Sequence, residues 1–65
     1  MPISILRRDA VEHLTGLRRS TIYALMAKSQ FPKPIPLTGT AVGWIEEEVD
    51  AWLKARVETR QQEVA

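Results

Sequence analysis

Three prolines at alternate positions, Pro32, Pro34 and Pro36, most limit what this 65-residue chain can fold into. Each lacks a backbone donor and pushes the residue before it out of helical geometry. The stretch Phe31-Pro32-Lys33-Pro34-Ile35-Pro36 therefore cannot be helix, and a strand carrying proline must lie at a sheet edge. Ile35 and Leu37 flank Pro36 at the spacing of such a strand. Thr38-Gly39-Thr40 puts glycine in the middle of a turn, and Ala41-Val42-Gly43-Trp44-Ile45 can return antiparallel, closing a short hairpin. A lone two-stranded ribbon is marginal in water, so it must lie on the helices. Phe31, Leu37, Val42 and Trp44 are the expected glue.

The chain before the prolines reads as two helices joined by a tight turn. The first runs from about Arg8 to Thr15, with Ala10, Val11 and Leu14 on one face. Gly16 suits the position just past a helix end, where φ is positive. Leu17 is the apolar residue that such a turn tucks between its helices. The second helix runs from about Arg19 to Ser29, with Ile22, Leu25 and Met26 at the spacing of a buried stripe. Arg18, Arg19, Thr21, Tyr23 and Lys28 fall off that stripe. A short helix with one dry face and a basic, hydroxyl-bearing, aromatic outer face is what the second helix of a helix-turn-helix needs. Arg18 occupies the slot where Ser, Thr, Asp or Asn would normally cap the helix. A cation there is mildly unfavourable, and a nearby phosphate would offset the cost.

A last helix begins near Glu46, where three glutamates complement the dipole. Val49, Trp52, Leu53 and Val57 make its apolar stripe, and Asp50 and Lys54 are an i, i+4 pair in the favourable order. From about residue 60 the sequence turns polar and fraying is expected through residue 65. Ile3-Ser4-Ile5-Leu6 is a short apolar entry that suits extended backbone. The fold class is mainly α with a small β-hairpin, a winged helix-turn-helix, as one domain over residues 1–65.

A chain this short buries only about 60% of its unfolded surface, and no cysteine is present to staple it. The longest apolar run, residues 22–27, spans six residues, against the roughly 20 that cross a bilayer. Met1-Pro2-Ile3-Ser4 lacks the charge-then-apolar pattern of a secretion signal, so none is expected. The net charge of +1 divides into +4 over residues 1–45 and −3 over residues 46–65. A basic front and an acidic back orient a protein on a polyanion.

Five short words now stand in series: Thr15-Gly16-Leu17, Arg19-Ser20-Thr21-Ile22-Tyr23, Phe31-Pro32-Lys33-Pro34, Ala41-Val42-Gly43-Trp44 and Glu48-Val49-Asp50-Ala51-Trp52-Leu53. With them the chain resembles the AlpA family of prophage regulators and, more loosely, the small MerR-like winged-helix excisionases. The resemblance implies a cytoplasmic, nucleoid-associated DNA-binding protein of a phage or integrated element. Such proteins activate transcription of an integrase gene, act as excisionases, or do both. Three departures stand out. Arg18 replaces a serine that family members commonly carry, Ser29-Gln30 stands where they often have glycine, and the hairpin tip Thr38-Gly39-Thr40 carries no cation. The wing should then grip phosphate more weakly, with Arg18 shifting that contact to the second helix.

Given the motif, Arg18 and Arg19 are expected at a phosphate or a guanine edge. Ser20 and Thr21 read equally as donors to DNA or as caps. Tyr23 suits sugar–phosphate contact, with packing on the hairpin as its alternative. Lys28 and Lys33 are backbone contacts, and Thr38, Gly39 and Thr40 are either a minor-groove wing or only a turn. Trp44 and Trp52 belong to core patterns. One histidine, His13, with no second ligand beside it gives no metal site, and no cofactor is expected. Nothing supplies a catalytic pair or a substrate cleft, so an enzyme is not expected. Duplex DNA is the expected partner, with integrase or RNA polymerase as further ones. The competing reading is an adaptor that grips a recombinase or polymerase without touching DNA. A single module covers only roughly 600–1,000 Å², so tandem or cooperative binding at repeated sites is expected.

Overall fold

The computed structural model describes residues 3–64, with side chains described over residues 3–60. Six elements follow in order: β1 (Ile5–Leu6), α1 (Arg8–Thr15), α2 (Arg19–Ala27), β2 (Ile35–Thr38), β3 (Ala41–Ile45) and α3 (Glu46–Val64). The expected tail from residue 60 to 65 falls mostly outside the described side chains. Three helices and a small antiparallel sheet make the winged helix-turn-helix arrangement.

The turn between α1 and α2 is built as the glycine implies. Gly16 adopts φ 74° and its N–H donates to the Glu12 carbonyl at 2.8 Å. Thr15 locks it further. Its hydroxyl donates to the Val11 carbonyl at 2.7 Å and accepts the Leu17 N–H at 3.2 Å. Leu17 is thereby turned onto the core, where it is half-buried.

Helix α2 ends at Ala27, two residues short of the expected Ser29. Ser29 takes φ 58°, the left-handed region. The Ser29 N–H donates to the Met26 carbonyl at 3.0 Å and the Gln30 N–H to the Leu25 carbonyl at 2.8 Å. This is a Schellman closure with serine in the glycine position. It turns the chain into the proline segment, which stays outside the sheet until Ile35. Two tryptophans hold that segment instead. The Trp44 indole N–H donates to the Pro32 carbonyl at 3.0 Å and that of Trp52 to the Gln30 carbonyl at 2.7 Å. Phe31 is buried and meets the Trp52 ring edge-on at 4.9 Å between centroids.

The sheet has three strands in the order β1-β3-β2. The entry segment pairs with the free side of β3, Ile5 opposite Ile45 and Leu6 opposite Trp44. The Glu46 N–H donates to the Ser4 carbonyl at 2.8 Å, tying the start of α3 to the same segment. Gly43 lets the outer strands close in. A Cβ there would collide with Ile5 Cγ2 and crowd Leu37 Cδ1 at 3.2 Å.

Val11, Ile22, Phe31, Trp44 and Val49 form the buried core, one residue each from four elements and the proline segment. Leu6, Leu17, Leu25, Met26, Val42, Trp52 and Leu53 pack around it half-buried. Three expectations need correction. In α1 only Val11 is buried; Ala10 is exposed and Leu14 is 49% exposed. Two turns of helix meet the core through one residue, and Leu14 projects past it toward Glu46, Glu47 and Asp50. Leu37 is exposed because the β2–β3 register slips by one residue between Pro36 and Thr38, leaving it out of the pairing. Val57 is exposed because α3 has by then run past the body it packs on. Among the described residues no helix is long and apolar enough to cross a membrane.

Candidate nucleic-acid interface

Helix α2 has the sidedness that its sequence implies. Ile22 is fully buried and Leu25 and Met26 are half-buried, so the opposite side must face outward. Arg18, Arg19, Ser20, Thr21, Tyr23 and Lys28 are all exposed. Arg18 is the N-cap residue in extended geometry (φ −80°, ψ 159°) with no side-chain cap, and no acid lies in the first turn. Arg7 stands at the same position of α1, again without a side-chain cap.

Arg19 and Tyr23 sit one turn apart, with the guanidinium carbon 5.7 Å from the ring centroid. This cation–π contact holds the arginine over the exposed ring rather than against the protein body. The ion pairs elsewhere sharpen the contrast. Arg8 meets Glu12 at 3.2 Å and Lys54 meets Asp50 at 3.1 Å. Among the described residues, Arg7, Arg18, Arg19, Lys28 and Lys33 have no carboxylate within ion-pair distance. An unneutralised set of cations on one stretch of chain produces a positive field over that side.

The structure gathers the expected site residues into two groups. Arg18, Arg19, Ser20, Thr21 and Tyr23 share the first turns of α2. Tyr23 and Thr40 meet across an open cleft of about 620 Å³, whose walls also include Arg7, Arg8, Asp9 and Val42. Thr38 and Gly39 lie exposed at the hairpin tip, where Gly39 takes φ 54°. Lys28 caps the far end of α2 and Lys33 lies exposed between two prolines; neither lines the cleft. Arg7 and Arg8 were not among the expected site residues. They lie off the apolar face of α1 in the sequence, but only the tertiary fold brings them beside Tyr23 and Thr40.

The acidic back is a separate surface. Glu46, Glu47 and Asp50 surround the half-exposed Leu14 at the other end of α1 from Arg7 and Arg8. Among the described residues no group of three His, Cys, Asp or Glu side chains is placed to hold a metal ion.

Comparison with known proteins puts this arrangement in context. Residues 4–57 match the family described as Prophage CP4-57 regulatory protein (AlpA). The chain is 47% identical over 60 residues to the DNA-binding transcriptional activator AlpA of Escherichia coli K12, covering 83% of this chain and 86% of that protein. It is 46% identical over 56 residues to the uncharacterized protein ORF88 of Enterobacteria phage P4, covering 86% of this chain and 64% of that protein. The chain thus spans a little under two thirds of the phage P4 relative. With the turn, the proline segment and the hairpin all inside the matched span, the chain belongs to the AlpA family of prophage regulatory proteins.

Proposed function

We propose that this chain is a sequence-specific DNA-binding regulator of a phage or integrated element, with α2 in the major groove. One observation carries the reading: α2 and its two end residues expose Arg18, Arg19 and Lys28, which have no carboxylate partner among the described residues, while Ile22 is buried. An α-helix with its side chains is about 10–12 Å across, and the major groove of B-DNA is about 12 Å wide. Arg18 and Arg19 then meet phosphate or a guanine edge, with Ser20, Thr21 and Tyr23 following along the groove. Lys28 and Lys33 contact the backbone, and Thr38, Gly39 and Thr40 form the wing. The Escherichia coli relative, described as a DNA-binding transcriptional activator, supports the same reading.

The regulated event is transcription of an integrase gene, excision of the element, or both. Integrase and RNA polymerase are the proposed protein partners, in the cytoplasm. One small module covers few base pairs, so copies bind in tandem at repeated sites. Titrating a labelled duplex carrying the integrase promoter at two salt concentrations tests the reading. Affinity should fall steeply as salt rises. Absence of binding at low salt, or binding indifferent to salt, rejects it.

A further inference from the structure

We propose that the cleft between the start of α1, Tyr23 and the hairpin tip seats one backbone phosphate of bound duplex DNA, with Arg7 as the cation that holds it. The inference rests on the DNA-binding reading above and extends the contact surface beyond α2 to a part of the chain not yet assigned a role.

Three elements bring donors to this cleft. Arg7 comes from the segment leading into α1, Tyr23 from α2 and Thr40 from the turn before β3. Among the described residues none of these three side chains makes a hydrogen bond within the protein. A guanidinium-bearing and two hydroxyl-bearing residues lining one open space suit a phosphodiester, whose two non-bridging oxygens share one negative charge and can accept from all three. Arg8 also lines the cleft, but its Nε–H donates to Glu12 at 3.2 Å, which partly neutralises its charge. Arg7 has no such partner among the described residues, which makes it the cation available to a ligand.

The position fits a strand flanking the groove. Tyr23 belongs to both surfaces: Arg19 lies over its ring, and its ring also forms part of the cleft wall. A duplex engaged by the Arg19 side of α2 presents its next backbone toward Tyr23 and the space behind it. In helix-turn-helix docking the first helix lies across that backbone. Such a contact fixes register and carries no sequence information by itself. Asp9 lines the same cleft and repels a phosphate placed there. That carboxylate gives the inference a second handle, since removing its charge must strengthen binding.

The test measures duplex affinity between about 50 and about 200 mM salt for the wild type, Arg7→Ala, Arg7→Lys and Asp9→Asn, with Lys54→Ala as control. Losing one phosphate contact reduces the salt slope by about 0.9, so the deficit of Arg7→Ala shrinks about 3.5-fold over that range. The deficit should be equal on target and unrelated duplexes. Arg7→Lys should keep the slope, Asp9→Asn should bind more tightly, and Lys54→Ala should match the wild type. A duplex with single methylphosphonates then locates the contact. One position should weaken the wild type and leave Arg7→Ala unaffected. Wild-type slope and affinity in Arg7→Ala, or no such position, overturns the cleft contact while the α2 reading stands. Failure of the wild type to bind any duplex overturns both. Circular dichroism of each variant confirms that it is folded, which the exposed positions of Arg7 and Asp9 favour.

Discussion

Ser29→Gly should stabilise this protein. Ser29 is the one non-glycine residue at positive φ among the described residues, with φ 58°. An L side chain in that region costs roughly 1–2 kcal/mol, because Cβ crowds the following carbonyl. The two hydrogen bonds of the Schellman closure, 3.0 and 2.8 Å, come from backbone groups and survive the substitution. The Ser29 side chain donates to nothing among the described residues, so no contact is lost. Against the relief stands the greater freedom of glycine in the unfolded chain, about 0.5–1 kcal/mol. The net gain is about 0.7 kcal/mol, and in a domain this small it raises Tm by roughly 3–6 °C. Ser29→Ala should stay near the wild type, and Ser29→Val should fall, since a branched side chain tolerates this φ least. Thermal unfolding followed by circular dichroism reads all three. If Ser29→Gly melts at or below the wild-type temperature, the strain attributed to this residue is absent.

Gly43→Ala should cost about 1–3 kcal/mol, because the added methyl strikes Ile5 Cγ2 and crowds Leu37. Chemical denaturation of Gly43→Ala with and without Ile5→Ala checks the cause, since removing the opposing methyl should recover part of the loss. Trp44→Phe should cost at least about 1–3 kcal/mol, because it orphans the Pro32 carbonyl that the indole satisfies at 3.0 Å; urea unfolding measures it. Arg19→Ala should weaken duplex binding more than Lys54→Ala, whose ammonium is engaged with Asp50. Equal losses in a gel-shift titration would mean that the wrong face has been assigned.

What the sequence made legible is local chemistry. Gly16 marks the end of α1 because no other residue type enters the left-handed region as easily. The sidedness of α2 follows from three apolar residues on one stripe, and the proline triplet excludes helix by covalent structure alone. Departures from local pattern were less readable. Leu37 alternates correctly in sequence, yet a one-residue register slip removes it from the pairing. Leu14 keeps helical spacing with Val11, but α1 is too short to bury a second residue against the same core. The third strand, Ile5–Leu6, is two residues long and carries no alternation to read. Its pairing is set by the unoccupied side of β3. Arg7 illustrates the same limit for the site. Its charge is plain in the sequence, but its neighbours Tyr23 and Thr40 lie 16 and 33 residues away and meet it only in the folded chain.

The outer face of α2 is the central claim, and a nuclear magnetic resonance titration of the labelled chain with duplex DNA tests it most directly. Amide shifts should concentrate over residues 18–28, extend to Thr38, Gly39 and Thr40, and leave Glu46, Glu47 and Asp50 unmoved. Shifts centred on Leu14 and the glutamates of α3, with Arg18 to Lys28 silent, would contradict it.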